Sequence, residues 1–221
     1  MRIHQVYTLI EAAGWPIWLL LACSVVGLAI VLERSYQLRK SRIVPTDIRQ
    51  FAQDLAQQST PNIESLERLR QSPLGQLYAA LIQQRDQPAP VREEIAAEIG
   101  QSIRFALNRF LPALGTVAVI APLLGLFGTV IGMIELFSAY TPQGSDPDQF
   151  ARGISIALYN TALGIIIAIP ALIFHRYFRS QARYFLHVLE IESSRFNRFI
   201  DFIHTRHPSH THPARSFPDQ R

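Results

Sequence analysis

Two apolar runs of the sequence carry polar side chains that could do chemistry. The first is PLLGLFGTVIGMIELF, residues 122–137, which contains Thr129, and the second contains Asn160 and Thr161. An amide within hydrocarbon is costly unless it faces protein or water, and a hydroxyl can both donate and accept a hydrogen bond. Thr129 alone is more typical of a packed helix, since membrane threonines commonly donate to the carbonyl one turn back.

The spacing of the two threonines changes this balance. Thr129 lies nine residues before Ser138, the predicted outer end of the first run, and Thr161 lies eight residues after Gly153, where the second begins. At about 1.5 Å per helical residue, each hydroxyl is roughly 12 to 14 Å from the end of its helix. Two threonines at one depth on consecutive antiparallel helices predict a polar ring inside a membrane.

Glycines in the same runs predict close helix packing. Gly125, Gly128 and Gly132 follow a three-then-four spacing and therefore share one helical face. Gly164 comes one turn after Thr161 in the second run. Because small residues let neighbouring backbones approach closely in a membrane, these four glycines are predicted packing residues.

The elements that would position these residues are membrane-spanning helices. Hydrophobic residues make up 48% of the chain and charged residues 17%, an unusual balance for a soluble protein. A span needs about 20 apolar residues, and three segments qualify: 15–32, 111–137 and 153–174. The first is a retained helix rather than a signal peptide, since LERSYQLRKSR follows it and no small-residue cleavage site is present. The predicted fold class is an all-α membrane protein.

Lysine and arginine set the predicted orientation. Of the 21, eleven lie in residues 33–109 and eight follow residue 174, whereas the other two are Arg2 and Arg152. The positive-inside rule therefore places the loop and the C-terminus in the cytoplasm and the N-terminus in the periplasm. Basic flanks beside anionic membrane lipid explain the net charge of +4 without a nucleic-acid partner.

The predicted cytoplasmic segments are helical. Apolar residues recur at helical spacing in 41–58, 62–71 and 91–110, and prolines separate these segments. The last segment has no breaker before Pro112, so one long helix is expected to run from the cytoplasm across the membrane. The third span likewise continues as a helix through 175–203, because its apolar stripe persists.

The chain is thus predicted to comprise seven segments. They are 1–33, a periplasmic N-terminus and first span; 34–109, a cytoplasmic helical loop; 110–138, the second span; 139–152, a periplasmic turn; 153–174, the third span; 175–203, a cytoplasmic helix; and 204–221, a flexible tail. The tail contains His204, His207, His210 and His212, but its prolines and its lack of a scaffold argue against a metal site. No cofactor is expected.

These residues also carry a family resemblance. PLLGLFGTVIGMIELF followed by GISIALYNTALGIIIAIPALIFHRYF resembles the two signature helices of the ExbB/TolQ/MotA proton-channel family. LACSVVGLAIVLERSYQLRK is similar to the first helix and its basic exit in the ExbB and TolQ branch. The likeness covers all three spans, while the cytoplasmic loop fits that branch only in size and position.

The resemblance implies a proton-channel subunit of the bacterial inner membrane rather than an enzyme. Family members form pentamers whose second and third helices line a pore around an ExbD- or TolR-like single-helix subunit, and the complex works on a TonB- or TolA-like protein. The matching positions imply that Thr129 and Thr161 line the proton pathway, with Asn160 beside them. No paired carboxylates, metal set or nucleophile with a base lies near a membrane face to suggest an enzyme.

One position departs from the family pattern. Ile156 stands where ExbB and TolQ members often carry a glutamate, and the ionisable group left in the spans is Glu135, near the outer end of the second. Glu135 and Ser155 are secondary polar candidates, and the carboxylate that carries protons is expected on the partner helix. Two alternatives stay open: TolQ-like envelope maintenance in place of ExbB-like import, and a membrane scaffold whose threonines only pack helices.

Overall fold

A computed structural model describes residues 14–58, 60–138 and 147–206, and all regular elements in these ranges are helical. In chain order they are α1 Ile17–Gln37, α2 Lys40–Ile43, α3 Ile48–Gln57, α4 Ile63–Leu69, α5 Pro73–Gln83, α6 Ala89–Asn108, α7 Leu111–Ser138 and α8 Pro147–Arg206. Three segments are long and apolar enough to cross a membrane, namely Ile17–Gln37, Ala89–Ser138 and Gly153–Ile203. For the described residues, the prediction of an all-α fold with three candidate spans is confirmed.

The chain divides into two compact units. Unit 1 comprises Met1–Arg39 and Phe105–Tyr184, and unit 2 comprises Lys40–Arg104 and Phe185–Arg221. Each unit has its own buried apolar residues, and α6 and α8 contribute residues to both.

In unit 1, α7 contacts both α1 and α8. The contact with α1 is close at Gly27, where an added methyl group would lie 3.2 Å from Val117 Cγ1. Large apolar side chains on the other faces of α7 and α8 are exposed on the single chain, a surface suited to lipid or to another membrane helix. They include Val119, Leu123, Leu126, Val130, Ile165, Ile166 and Ile169.

The second span does not continue the preceding helix, so the prediction of one uninterrupted helix from residue 91 across the membrane is wrong. α6 ends at Asn108 and α7 begins at Leu111. Between them Phe110 has a φ of 62°, a left-handed conformation that a bulky residue rarely adopts without support from its surroundings. Pro112 then lies in the first turn of α7, where its missing N–H costs no helical hydrogen bond.

The third apolar segment and the residues after it form a single helix. α8 runs for 60 residues without interruption and accommodates Pro170 in its interior. A proline inside a membrane helix is tolerated when neighbouring groups satisfy the freed carbonyl. Thr161 and His175 therefore lie on one continuous helix.

Unit 2 is built around α5, a helix that the sequence pattern did not predict. Its nearly fully buried residues include Leu74, Leu77, Tyr78, Leu81 and Ile82, and α2, α3 and α4 contact it. Pro73 is at the first helical position and Ser72 Oγ accepts a hydrogen bond of 3.1 Å from Gly75 N. A proline that separates two helices is also favourable at the start of the second.

Buried polar side chains connect α8 to the other helices of unit 2. Glu192 accepts hydrogen bonds from Tyr78 Oη at 3.1 Å and from Arg49 Nε at 3.0 Å. Arg92 donates from Nε to Asn197 Oδ1 at 2.7 Å. These contacts satisfy charges that would be costly to bury alone.

Candidate functional site

The four glycines singled out in the sequence lie at the contact between α7 and α8 in unit 1. A methyl group on Gly125 would lie 2.8 Å from Asn160 O, and one on Gly128 would lie 2.5 Å from Asn160 Cβ. A methyl group on Gly132 would lie 3.0 Å from Gly153 O. The contacts at Gly125 and Gly128 are closer than real Cβ atoms show, and the one at Gly132 is unusually tight. The two helices can therefore lie this close only because these positions have no side chain.

Gly164 supplies the matching surface on α8. A methyl group there would lie 2.6 Å from Ala121 O and 3.1 Å from Gly125 Cα. The two backbones are therefore in contact where Gly125 and Gly164 meet.

The register of this helix pair places Thr129 and Thr161 at similar levels. Gly128 is opposite Asn160, and Gly132 is opposite Ile156. Since residue numbers rise along α7 as they fall along α8, Thr129 is within about one helical turn of Thr161, roughly 3 to 5 Å along the axis. Both threonines are partly exposed on the single chain.

The two hydroxyls differ in the hydrogen bonds they make. Thr129 Oγ1 donates to Leu126 O at 2.6 Å, so its hydrogen is engaged and only its lone pairs can serve another molecule. Thr161 Oγ1 is a buried atom with no hydrogen-bond partner in the part of the chain that the structure describes. Thr161 can therefore both donate and accept, whereas Thr129 can only accept in this conformation.

Asn160 lies inside the helix contact rather than on the open surface of the chain. Its side chain has no exposed area, and its Nδ2 donates to Ile156 O at 3.0 Å. The absence of a side chain at Gly128 gives the amide its space. Within one chain, Asn160 is placed to fix the packing of α7 against α8 directly beside Thr161.

The remaining polar candidates lie nearer the ends of the two helices. Ser155 Oγ donates to Ala151 O at 2.8 Å, a local bond that satisfies the hydroxyl. Glu135 is exposed on α7, in the last turn before Ser138. Ile156 is buried, with 6% of its surface exposed, and packs against Gly132.

Two further polar side chains in unit 1 were not singled out from the sequence. Arg34, counted there only as part of a basic flank, is 1% exposed and donates to backbone carbonyls of α6. His175 Nδ1 lies 2.9 Å from Leu111 O, the first residue of α7. The sequence signals that could have identified them are their positions, since His175 and Arg34 each come just after an apolar span.

The predicted histidine tail lies almost wholly beyond the part of the chain that the structure describes. His207, His210 and His212 are outside the described residues, and only the helical backbone of His204 is described. Within the described residues, no group of three or more His, Cys, Asp or Glu side chains is arranged to hold a metal ion.

Comparisons with known proteins identify a family for the chain. Residues 64–191 match the model of the MotA/TolQ/ExbB proton channel family. The chain is 33% identical over 167 residues to the biopolymer transport protein exbB1 of Vibrio cholerae, covering 73% of each chain. It is 29% identical over 171 residues to a putative ExbB-like biopolymer transport protein of Synechocystis, covering 73% of this chain and 79% of that one. With the Tol-Pal system protein TolQ of Pseudomonas aeruginosa it shares 34% identity over 106 residues, 44% of this chain and 46% of that protein.

The family match spans more than half of the chain and includes α7 and the part of α8 that packs against it. The V. cholerae relative aligns with the chain over nearly three quarters of the length of each protein. Proteins of this kind are channel and transport subunits rather than enzymes. The chain, a multi-pass membrane protein with three candidate spans, therefore belongs to the MotA/TolQ/ExbB proton channel family.

Proposed function

We propose that this chain is the ExbB-like pore subunit of a bacterial inner-membrane complex that couples the proton motive force to TonB-dependent import. The extent of similarity supports the ExbB branch, since the alignment with the ExbB-named relative of V. cholerae covers 167 residues and that with the TolQ-named relative covers 106. The chain's own contribution to that coupling is a proton pathway between α7, α8 and a partner helix.

The proposed assembly is a pentamer with a periplasmic N-terminus and a cytoplasmic C-terminus. Helices α7 and α8 leave large apolar side chains exposed on a single chain, and neighbouring copies or lipid must cover that surface in a membrane. An ExbD- or TolR-like subunit, with one membrane helix in each copy, occupies the pore, and a TonB- or TolA-like protein receives the force. Native mass spectrometry in mild detergent is expected to give a pentamer, and a stable monomer or dimer in both detergent and lipid contradicts this assembly.

The hydroxyl of Thr161 is the observation that carries the proposal. A buried hydroxyl without a partner is unfavourable. Because the residue itself is partly exposed, a change of its χ1 rotamer brings the hydroxyl to the surface, where a second molecule in the pore can pair with it. An ionised carboxylate on the partner helix only accepts hydrogen bonds, and Thr161 has a hydrogen to donate. A protonated carboxyl group can instead donate to a lone pair of Thr129, whose own hydrogen is held by Leu126 O. The two threonines thus suit the two protonation states of one titrating acid.

Asn160 acts behind this pair. Because it is fully enclosed between α7 and α8, we assign it the role of holding Thr161 at the edge of the helix contact. In this proposal the amide does not contact the proton, and it affects the pathway only by positioning Thr161.

The proton carrier itself is placed on the partner helix. Hydroxyl groups do not hold a charge in hydrocarbon at neutral pH, and Glu135 is exposed near the outer end of α7 rather than beside the threonines. Liposomes that contain this chain alone are expected to show little proton flux under an imposed potential. Rapid flux that disappears in Glu135→Gln moves the proton carrier onto this chain.

Threonine-to-valine substitutions test the pathway directly, because valine keeps the shape and removes the hydroxyl. In the complex with its partner, Thr161→Val is expected to reduce proton flux by roughly tenfold or more, the effect of one lost hydrogen bond to a charge. Thr129→Val is expected to reduce it as well. Thr116→Val is the matched control, since Thr116 on the same helix is exposed and donates to Pro112 O at 3.0 Å.

The alternative with a specific observation behind it is the scaffold. The Thr129 to Leu126 hydrogen bond is the local bond expected of a threonine that only packs. If both valine variants assemble and conduct like the wild type, the threonines are packing residues and their role in the pathway is wrong. If the wild-type complex conducts no protons, the scaffold is favoured. Deletion of the gene distinguishes a TolQ-like role from an ExbB-like role. Loss of a TolQ-like subunit compromises the envelope, whereas loss of an ExbB-like subunit abolishes TonB-dependent uptake.

A further inference from the structure

The break between α6 and α7 is held from both sides by side chains of other helices in unit 1. On the α6 side, Arg34 Nη1 lies 3.3 Å from Ala106 O and 3.5 Å from Leu107 O. The last carbonyls of a helix lack intrahelical partners and carry partial negative charge, so a buried guanidinium is a favourable cap. The first membrane helix thereby fixes where α6 ends.

Arg34 is itself held in place by its neighbours. Its Nη2 donates to Glu33 Oε1 at 3.1 Å and to Gln37 Oε1 at 2.9 Å. Its guanidinium also lies 5.5 Å from the centre of the Phe110 ring, and that of Arg109 lies 4.7 Å from the same centre. Two cations against one aromatic ring help to retain Phe110 in its left-handed conformation.

On the α7 side, His175 holds the first carbonyl of the helix. Its Nδ1 is 2.9 Å from Leu111 O, and because a carbonyl oxygen only accepts, this nitrogen must carry the hydrogen. The ring reaches the backbone because Gly115 has no side chain: an added methyl group would lie 3.0 Å from His175 Cε1. The helix that carries Thr161 is thereby attached to the start of the helix that carries Thr129.

We infer that Arg34 and His175 are positioning residues for the proton pathway. They hold the Arg109–Phe110 break from both sides, and we call these two contacts the bracket. The bracket sets where α7 begins and how it is rotated about its axis, and therefore the direction in which Thr129 faces. Arg34 acts through the end of α6 and His175 through Leu111, and neither is required to contact the titrating acid. The expected effect on proton flux rests on the proposed function. The bracket does not, because its contacts all lie within unit 1.

Two isosteric substitutions of His175 separate positioning from proton transfer. The Nδ2 of asparagine occupies nearly the place of histidine Nδ1, so His175→Asn keeps the donor to Leu111 O and removes the titratable ring. His175→Leu removes both. His187→Leu is the control for loss of a histidine, since His187 is an exposed residue of the same helix in unit 2.

Hydrogen exchange of the full-length protein, followed by mass spectrometry over residues 105–115, measures the bracket. Loss of one hydrogen bond is expected to speed exchange there by about five- to tenfold in His175→Leu, with His175→Asn within about twofold of wild type. Arg34→Met is expected to speed exchange at the same residues. Arg34→Lys keeps the positive charge but not the two-pronged guanidinium, so its exchange is expected to be intermediate between that of wild type and Arg34→Met. If Arg34→Met does not fold, the His175 pair still decides.

Proton flux of the same variants, reconstituted with the single-helix partner, completes the test. The expected order is wild type, His187→Leu and His175→Asn together, with His175→Leu several-fold lower. Equal loss of flux in His175→Asn and His175→Leu, with unchanged exchange, makes the imidazole a proton-transfer group and overturns the positioning role. Unchanged exchange in His175→Leu overturns the bracket itself. Absence of flux in the wild-type complex refutes the proposed function instead, while the exchange data still decide the bracket.

Discussion

Replacing Gly128 by alanine tests whether α7 and α8 are as close as the geometry of the site requires. The new Cβ would lie 2.5 Å from Asn160 Cβ and 2.6 Å from Asn160 Cγ. Asn160 has no exposed surface, so its side chain cannot swing away and the helices must separate. Such overpacking costs about 1–3 kcal/mol, while alanine recovers up to about 1 kcal/mol of helix propensity. The expected net loss of stability is roughly 1–2 kcal/mol.

The matched control is Gly100→Ala. A methyl group on Gly100, within α6, meets nothing within 4 Å, so this variant is expected to gain about 0.5–1 kcal/mol from helix propensity. In thermal unfolding followed by circular dichroism in mild detergent, each kcal/mol corresponds to about 2–4 °C for a chain of this size. Gly128→Ala is therefore expected to melt several degrees lower and Gly100→Ala slightly higher. An unchanged or raised melting temperature for Gly128→Ala refutes the close contact between Gly128 and Asn160.

Two predictions concern the polar cluster of unit 2. Glu192→Gln keeps the shape of the side chain but weakens its hydrogen bond with the buried Tyr78 phenol, so it is expected to lower the free energy of unfolding by about 1–2 kcal/mol. The control is Glu67→Gln, whose partner Arg70 is exposed. This variant is expected to leave the free energy of unfolding unchanged within error. Burial, and then the charge of Glu192, raise the pKa of Tyr78 well above its usual value of 10.0. Because the folded-state pKa is the higher one, the stability due to Tyr78 is complete below about pH 10 and is lost as the pH rises further. Melting curves from about pH 9 to 11 should show a steeper loss for wild type than for Tyr78→Phe, and equal slopes would refute the shift.

The spans and most helices could be predicted from the sequence because their signals are local. An apolar run about as long as a membrane is thick has few alternatives to a helix. Asn62 also starts α4 as an N-cap, with its side chain accepting from Glu64 N at 3.1 Å. The helix α5 was missed because Pro73 was interpreted only as a separator, although a proline at the first helical position begins a helix equally well.

The break at Phe110 was missed for a different reason. A left-handed residue is usually signalled by glycine or asparagine, and phenylalanine gives no such signal. Its conformation is supported by Arg34, which is 72 residues distant in sequence from the carbonyl of Ala106 that it caps. Pro112 was the local hint, since proline is favoured in the first turn of a helix and so suggests a helix start. Long-range contacts of this kind have no signature in a single sequence.

The position of Ile156 decides which face of α8 is available to the proposed pore. Ile156, Asn160 and Gly164 are spaced by four, and all three face α7, whereas Thr161 is turned about 100° from Asn160 around the helix. Ile156→Glu therefore buries a charge against Gly132, at a cost of several kcal/mol, while Ile156→Val removes one methylene and costs about 1 kcal/mol. At neutral pH the valine variant is expected to assemble with a slightly lower melting temperature, and the glutamate variant to be strongly destabilised. A glutamate variant as stable as the valine variant means that water reaches this face, and the wall of the proposed pore then includes Asn160 rather than beginning at Thr161.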